Sequence, residues 1–394
     1  MTWKLADSPF FDDHHRQLAE RVAAWCRDNE SWLHQAGEGD GDFKRHCRRI
    51  LASLGEAGFP DYMLPLPDKE GTTAFDLRSI CIIREGLAYE CNLAASLCAV
   101  QGMGLSPLFR FGSDELKDAY IPAARRGEKI CAIAISEMQA GSDVAAIETT
   151  AALEGDVAIV NGEKAWIMNG SIADHFLVLA RSSHRDGGRP VISAFLIDAD
   201  LEGVSVSANM DMIDGCPLAT VAFDNVRVPL SHMMGSEGDG FVAAMVGFGI
   251  FRPSVGAAAV GLAKRALHEA MLRVKERTIF SRGMSELDGV QTRLADMLVD
   301  VETGSSAVYR AAWTGDVLSE RFPTESALAK LVATEAAQRV VDSAVQLFGA
   351  MGVRNGSVVE RLYREVRPMR IYEGTSEIQK KIIARNMLQE GSKA

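Results

Sequence analysis

The chain has 394 residues, of which 47% are hydrophobic and 24% are charged, and its net charge is −11. This length is enough for a large buried core and two or three domains. The acidic balance argues against a nucleic-acid partner, because such a partner requires basic surface patches.

The cysteines and histidines show no pattern that indicates a metal or a disulfide framework. The seven cysteines are scattered without a Cys-x-x-Cys pair, which is typical of reduced thiols in a cytoplasmic protein. The eight histidines lack ligand spacing, so we expect no metal site. The N-terminal segment lacks the apolar core of a signal peptide, and the apolar runs are too short or interrupted to span a bilayer. We therefore expect a cytoplasmic protein without membrane insertion.

The predicted elements change character twice along the chain. Residues 1–128 read as helices, because apolar residues recur at helical spacing between charges. Residues 129–236 hold short β-branched runs between turn residues and predict a mainly antiparallel β-domain, in which Asn161-Gly162 predicts a hairpin turn. Residues 237–394 return to long helices. The sequence therefore predicts an α+β fold in three parts.

Near the C-terminus, one stretch combines a carboxylate with a turn and a helix start. It reads Ile371-Tyr372-Glu373-Gly374-Thr375-Ser376-Glu377-Ile378-Gln379. The Thr-Ser pair can cap a helix that has Glu377 in its first turn. A carboxylate between apolar and aromatic neighbours can lose solvation and act as a base. The same spacing also fits an ordinary capping turn with a spectator glutamate, and spacing alone favours that reading.

The amino-acid sequence of this stretch resembles the C-terminal signature of the acyl-CoA dehydrogenase family. In those flavoenzymes the equivalent glutamate removes the α-proton of an acyl thioester. The order of helices, β-domain and helices is similar to the family's architecture, whose third part is a four-helix bundle. The resemblance implies FAD as cofactor and Glu373 as the catalytic base. It also implies that Tyr372 and Gly374 contact the substrate, and that Thr375 and Glu377 contact the cofactor.

Two elements of the predicted β-domain extend the resemblance. The run from Ile135 to Asp143 resembles the family's Thr-Glu-Pro-x-Ala-Gly-Ser-Asp element. The resemblance implies that Ile135 and Ser136 meet the flavin, and that Ser142 contacts both cofactor and the CoA portion of the substrate. Trp166-Ile167-Met168-Asn169-Gly170 resembles Trp-Ile-Thr-Asn-Gly, which implies that Trp166 and Met168 lie against the flavin.

Three elements of the C-terminal part resemble further family motifs. Arg277-Thr278-Ile279-Phe280 resembles Arg-x-x-Phe, whose arginine reaches the FAD pyrophosphate of a neighbouring subunit, and a guanidinium fork suits a diphosphate. The run from Gln346 to Ala350 resembles Gln-x-Phe-Gly-Gly, which implies that Gln346 and Gly349 line the FAD. Arg252 fits an arginine near the acyl-CoA. A subset of the family places its base one residue earlier, where Phe251 cannot ionise, so Glu373 is the candidate base.

Some positions depart from the family pattern and leave the substrate open. Met168 replaces a threonine that hydrogen-bonds the flavin, Gly249 replaces an acid that holds pantetheine in many members, and Asp288 replaces a glutamine. We therefore expect an acyl thioester dehydrogenase of fatty acid metabolism acting on CoA or, alternatively, on acyl-carrier-protein thioesters. The resemblance implies a homotetramer built as a dimer of dimers and an electron-transfer flavoprotein as partner. A flavin oxidase or monooxygenase and a non-catalytic assembly protein are the remaining alternatives.

Overall fold

The structure is a computed structural model that describes residues 8–65 except 36 and 38, 74–184, 190–318 and 322–390. Residues 1–7, on which the expectation of no signal peptide rests, lie outside this description. The described ranges include every residue predicted to belong to the site.

The described residues contain twelve α-helices, several of which begin at side-chain caps. The Ser113 hydroxyl accepts a hydrogen bond from the Leu116 amide, and Asp76 accepts one from the Ser79 amide. The helices are α1 (Asp13–Leu33), α2 (Asp40–Glu56), α3 (Pro60–Met63), α4 (Leu77–Glu90), α5 (Asn92–Leu105), α6 (Leu108–Phe111), α7 (Asp114–Arg125), α8 (Gly240–Glu276), α9 (Asp288–Val317), α10 (Pro323–Phe348), α11 (Val358–Val366) and α12 (Ser376–Glu390).

Nine strands form one large sheet and one small hairpin in the described part of the chain. They are β1 (Cys131–Ala134), β2 (Thr150–Glu154), β3 (Val157–Met168), β4 (His175–His184), β5 (Pro190–Asp198), β6 (Val204–Val206), β7 (Leu218–Pro229), β8 (Thr278–Ile279) and β9 (Arg282–Gly283). The large sheet has the order β1-β4-β2-β3-β7-β6, and β5 also pairs with β4. Strand β4 is parallel to β1 and β2, whereas the other pairs are antiparallel. The predicted α+β fold with a mainly antiparallel sheet is confirmed.

The prediction of a hairpin turn at Asn161-Gly162 is wrong. Both residues lie inside β3, where the register against β7 shifts between Val160 and Gly162. The hairpin that joins β2 to β3 turns instead at Gly155-Asp156, and Gly155 has φ +64°. Gly162 is needed for a different reason, because a Cβ on it would come within 2.7 Å of Thr149. The Asn-Gly pair therefore marks a β-bulge rather than a turn.

The chain divides into two compact units, each of which is assembled from separate segments. The helical unit consists of the described residues of Met1–Glu30, Asp76–Ala95 and Ile250–Ala394. The sheet unit consists of those of Ser31–Phe75 and Ser96–Gly249. These units differ from the three predicted segments, whose boundaries at 128 and 236 stay predictions.

The core of the sheet unit follows from alternation along its strands. In β7, buried and more exposed residues alternate through most of the strand, so one face of the sheet is apolar and packed. Strand β5, which pairs with β4, is buried almost throughout. The largest side chains in this core are Phe176, Phe195 and Phe223, which lie among alanines and valines of neighbouring strands.

Helix α8 is long and apolar enough to cross a membrane by length and composition alone. The expectation that all apolar runs are too short or interrupted is wrong for this helix. However, 56% of its most apolar window is buried inside the protein. This burial is typical of the core helix of a folded protein. The length and apolar composition of α8 are therefore weak evidence for a membrane span.

Candidate active site

Glu373 lies in a strained turn directly before α12. Its φ is +53°, in the left-handed region that residues with a side chain rarely adopt. Gly374 follows with φ +90°, and a Cβ on it would come within 2.7 Å of the side-chain nitrogen of Gln379. Glycine is therefore required at position 374, and the strain at Glu373 must be stabilised by surrounding contacts.

Side chains from two helices hold this turn in place. The Gln379 Nε2 group donates to the carbonyl oxygens of Glu373 and Gly374, at 3.1 and 2.9 Å. The Lys330 Nζ group of α10 donates to the same Gly374 oxygen at 2.8 Å. The Thr375 hydroxyl accepts a 3.4 Å hydrogen bond from the Ile378 amide, so the predicted helix cap is confirmed.

Glu335 of α10 ties together the two sides of the turn. One of its oxygens accepts hydrogen bonds from the Ser376 hydroxyl at 2.6 Å and from Arg370 Nε at 3.0 Å. Arg370 precedes the turn and Ser376 follows it. The turn that carries Glu373 is thus fixed from both ends by a charged hydrogen-bond network.

The Glu373 carboxylate is placed to act as a base. Its Oε2 atom is buried and has no hydrogen-bond partner among the described residues. Burial raises the pKa of Glu373, while the positive charges of Arg84, Lys330 and Arg252 act in the opposite direction. A poorly solvated carboxylate with a raised pKa binds a proton more readily than an exposed one.

Three cations from three helices surround this carboxylate. Arg84 of α4 is 2% exposed and Lys330 of α10 is fully buried, whereas Arg252 of α8 is half-buried. Burial lowers the pKa of Lys330 to about 8, although the Glu373 charge opposes this shift. Burial also lowers the pKa of Arg252, again opposed by Glu373. The site therefore holds more positive than negative charge.

A second buried network fixes the helix that carries Arg84. The neighbouring Glu85 accepts a 2.6 Å hydrogen bond from Lys264 Nζ of α8 and a 2.9 Å bond from the Tyr309 hydroxyl of α9. All three side chains are buried. Breaking such a network would leave an uncompensated buried charge. The network therefore holds α4, α8 and α9 in fixed positions relative to one another.

In the sheet unit, the predicted flavin contacts meet at one place. The Ala165 amide donates a 2.9 Å hydrogen bond to the Ser136 carbonyl, which brings the segment after β1 beside the end of β3. Trp166 has φ +62° and is 45% exposed, at an irregularity of β3 between Lys164 and Ile167. A bulky residue at positive φ is rare and marks a constrained position.

A buried ion pair supports this place from within. Lys164 Nζ lies 2.7 Å from Glu137 Oε1 and donates at 3.0 Å to the Ile135 carbonyl. Glu137 also accepts hydrogen bonds from the amides of Glu148 and Thr149. Burial would raise the pKa of Glu137, but these donors outweigh it and hold the pKa at about 2. The charged pair therefore fixes the backbone at 135–137.

Most of the remaining predicted site residues are exposed or half-buried in the single chain. Phe280 has φ +49° and is 90% exposed at the tip of the β8–β9 hairpin. Ile135 is buried, and Met168, Tyr372, Gly374 and Thr375 are half-buried. The exposed residues are Ser142, Arg277, Gln346, Gly349 and Glu377. Among the described residues of the helical unit, the predicted site residues linked to Glu373 are its chain neighbours Tyr372 and Gly374 and the charge of Arg252.

Sequence reasoning missed Arg84, Lys330 and Gln379 around Glu373, as well as the Glu137–Lys164 pair. A signal was available for Lys330, which is a single cation in the apolar run Ala327-Leu328-Ala329-Lys330-Leu331-Val332. A lysine on the apolar face of a helix must find a partner when it is buried. Nothing in the sequence around Arg84 indicates that it faces Glu373.

The described residues include one cluster with metal-ligand spacing, formed by Asp12, His14 and His15. Both ring nitrogens of His15 are already engaged. Nδ1 accepts a 3.0 Å hydrogen bond from the Asp12 amide, and Nε2 lies 3.2 Å from Asp76 Oδ1. This cluster is therefore accounted for by hydrogen bonds within the protein.

The unsatisfied groups at the predicted cofactor residues fit FAD. In the described part of the chain, the Ser136 amide and hydroxyl and the Arg277 guanidinium find no hydrogen-bond or ion-pair partner. Free amide and hydroxyl donors suit the polar edge of a flavin ring, and an arginine fork suits a diphosphate. The exposed Trp166 ring offers a flat apolar surface.

Comparison with known proteins supports the same family along nearly the whole chain. The acyl-CoA dehydrogenase N-terminal domain matches residues 12–128, the middle domain residues 132–226 and the C-terminal domain residues 238–388.

Two curated relatives and one solved structure illustrate the range of similar proteins. The 3-(aryl)acrylate reductase of Clostridium sporogenes is 34% identical over 86% of this chain and 90% of its own. The cyclohexane-1-carbonyl-CoA dehydrogenase of Geobacter metallireducens is 32% identical over 90% of this chain and 91% of its own. The acyl-CoA dehydrogenase of Bacillus anthracis, solved with FAD, has a TM-score of 0.88 and 27% identity, covering 98% of this chain and 69% of its own.

Domain matches, fold and relatives agree with the strained turn at Glu373 and the donors at the cofactor residues. The chain belongs to the acyl-CoA dehydrogenase family and is an FAD-dependent oxidoreductase.

Proposed function

We propose that this protein dehydrogenates an acyl-CoA thioester between its α- and β-carbons, with Glu373 as the base that removes the α-proton. The observation that carries this proposal is the Glu373 Oε2 atom, which is buried, has no partner in the described residues and belongs to a carboxyl with a raised pKa. FAD, when bound, supplies the acceptor for the β-hydrogen as hydride. The α-proton goes to Glu373, so the substrate loses two hydrogens and gains a double bond.

The backbone at Glu373 offers a donor for the thioester carbonyl. Its own amide has no hydrogen-bond acceptor in the described part of the chain. A fixed amide beside the base can stabilise the negative charge that develops on the carbonyl oxygen as the α-proton leaves. Arg252 and Lys330 add positive charge at the same place. Tyr372 and Gly374 are the further residues that we assign to substrate binding.

We assign the cofactor contacts to two groups of residues, as the family resemblance implies. The residues of the sheet unit are Ile135, Ser136, Trp166 and Met168 at the flavin, with Ser142 shared between cofactor and substrate. Those of the helical unit are Arg277, Phe280, Gln346, Gly349, Thr375 and Glu377. The exposed Arg277 and Phe280 fit contacts to FAD in a neighbouring copy.

We propose that the protein is a homotetramer, built as a dimer of dimers. An apolar cleft of about 320 Å³ between α8 and α9 supports contact with a second copy. It is lined by Leu267, Met271, Leu294 and Leu298, and neighbouring Val299 is exposed. Exposed apolar patches of this kind mark association surfaces. We further propose a cytoplasmic location, a role in fatty acid metabolism and an electron-transfer flavoprotein as electron acceptor.

A carrier-protein thioester is the second candidate substrate, and Gly249 favours it. Many members of the family hold pantetheine with an acid there, and a Cβ on Gly249 would meet no atom within 4 Å. The space for an acidic side chain is thus present while the side chain is absent.

The decisive experiment is anaerobic titration of the oxidised holoenzyme with acyl-CoA and acyl-carrier-protein thioesters. Bleaching of the flavin band identifies the carrier and the acyl class. A protein that takes up no FAD would instead be an assembly factor. Steady hydrogen peroxide production without another acceptor would indicate an oxidase or monooxygenase.

A further inference from the structure

Arg84 is a buried cation that the proposed reaction does not require. It lies on α4, is 2% exposed, and its Nε atom is buried without a hydrogen-bond partner in the described part of the chain. No carboxylate of the described residues lies within ion-pair distance of its guanidinium. Glu373 is the carboxylate on which the Arg84 charge acts, but no ion pair joins the two side chains. A buried arginine without a direct ionic contact is costly, and proteins almost always pair it.

Three other carboxylates of the helical unit are bound by other partners. Glu85 is bound by Lys264 and Tyr309, and Asp316 is bound by Arg78 and by the amide of Leu77. Glu335, on the far side of the turn, is bound by Arg370 and Ser376. These contacts leave Glu373 as the carboxylate on which the Arg84 charge acts, and Arg84 without a direct ion pair among the described residues.

The charges at the site are also unbalanced. Arg84, Arg252 and Lys330 all act on the single carboxylate of Glu373, and Arg84 has the largest effect of the three. When Glu373 takes up the α-proton it becomes neutral and no longer balances Arg84 and Arg252, whereas the charges of Glu335 and Glu377 still act on Lys330. The charge developing on the substrate carbonyl balances only one of the two arginines. A second negative charge on the substrate would balance another.

We propose that the acyl group of the substrate carries a carboxylate that pairs with Arg84. The substrate class is then the monothioesters of dicarboxylic acids, in which one carboxyl forms the thioester and the other is free. This proposal rests on the proposed function, because it places the acyl chain between Glu373 and Arg84. A guanidinium holds a carboxylate through two parallel hydrogen bonds, which gives both affinity and selection against neutral acyl groups.

The test compares acyl-CoA thioesters of equal chain length that differ only in the terminal group of the acyl chain, which is either a carboxylate or a methyl group. Succinyl-, glutaryl- and adipyl-CoA are paired with butyryl-, valeryl- and hexanoyl-CoA. We expect kcat/KM for flavin reduction to favour at least one acidic member over its neutral partner by about 10- to 100-fold, the range of a charge-assisted hydrogen bond. Wild-type enzyme that reduces its flavin with neutral thioesters but shows no such preference overturns this inference and leaves the proposed function intact.

Variants at Arg84 show whether this residue causes the preference. Arg84→Met should abolish the preference. Because Arg84 also lowers the pKa of Glu373, acidic and neutral thioesters are compared with each other in each variant, at a pH above the acidic limb of that variant. Arg84→Lys keeps the positive charge but lacks the planar guanidinium that binds a carboxylate through two hydrogen bonds. This variant should therefore retain part of the preference for acidic thioesters. Arg45→Met, at an exposed arginine of α2, is the matched control. If Arg84→Met slows acidic and neutral substrates equally and shifts the pH profile, Arg84 acts only on Glu373 and the proposal is wrong.

A binding measurement separates this inference from catalysis. In the Glu373→Gln holoenzyme, titration calorimetry should give a Kd for the favoured acidic thioester about 10- to 100-fold below that of its neutral partner. The double variant Glu373→Gln/Arg84→Met should bind both equally. If no thioester reduces the wild-type flavin, the proposed function fails, and equal Kd values in Glu373→Gln would overturn the Arg84 assignment as well.

Discussion

Lys330 donates a 2.8 Å hydrogen bond from its Nζ atom to the carbonyl oxygen of Gly374, the residue that follows Glu373. One buried ammonium group thus holds the strained turn and places a positive charge beside the candidate base. Lys330 lies in α10 and Gly374 in the turn before α12, 44 positions further along the chain. This relationship couples the geometry of the turn to the protonation of Glu373.

Replacing Lys330 should move the pH dependence of the reaction upward. The base must be ionised, so kcat/KM rises with pH through the pKa of Glu373, which burial has raised. Lys330→Met removes one of the three charges that lower this pKa, so the acidic limb should lie at higher pH. Below the limb, the rate falls about tenfold for each pH unit of displacement. A pH series of stopped-flow flavin reduction measures the limb, with exposed Lys381→Met as control. If the acidic limb of the Lys330→Met profile lay at the same pH as that of the wild type, the proposed coupling between Lys330 and the pKa of Glu373 would be contradicted.

Glu373→Gln should keep the shape of the site and remove the base. We expect the flavin to stay bound, because the amide preserves the volume and the backbone contacts of the turn are unchanged. Substrate-driven bleaching should fall by about 10²–10⁴-fold or more. Glu302→Gln, at an exposed position of α9, is the control. Retention of more than about a tenth of the wild-type rate would falsify the assignment of Glu373.

Arg277→Ala should weaken FAD retention and the oligomer together. Arg277 is exposed and has no ion-pair partner in the described chain, which suits a diphosphate held between two subunits. Because ligand binding and assembly are linked, losing one weakens the other. Flavin content and gel filtration measure both. The control is Arg282→Ala in the same hairpin, whose side chain lies 3.7 Å from Glu286. A wild-type protein that elutes as a flavin-saturated monomer would remove the basis of this prediction.

Met168→Thr should speed flavin reduction by about two- to tenfold. Met168 is half-buried at the end of β3 and offers no hydrogen-bond donor, whereas a threonine hydroxyl does. A neutral hydrogen bond contributes about 0.5–1.5 kcal/mol, and 1.4 kcal/mol is about tenfold in rate. Stopped-flow reduction beside an oxygen electrode tests this.

The competing role of Met168 gives a different result. If its side chain packs against the acyl chain or shields the flavin from oxygen, the threonine variant will reduce no faster and will lose affinity or release peroxide. An unchanged reduction rate would therefore count against the hydrogen-bond explanation.

The Asn161-Gly162 pair shows where local sequence rules stop. The pair favours a hairpin turn by its intrinsic conformations, yet in the structure it forms a bulge inside β3. The reason is the neighbouring strand, since Gly162 passes within contact of Thr149 and leaves no room for a side chain. The turn that joins β2 to β3 forms instead at Gly155-Asp156, where φ is positive at glycine.

The sequence by itself determined the order of secondary structure, the cap at Thr375, and the carboxylate that the family resemblance marks as the base. These features depend on residues within a few positions of one another, where helical and strand periods and capping hydrogen bonds act. Only the tertiary structure decided that Glu373 has a positive φ, that its Oε2 atom is buried and that the charges of Arg84, Arg252 and Lys330 act on it. The pKa of a group is set by its solvation and by charges from distant parts of the chain, and no local pattern reports which helices bring those charges together.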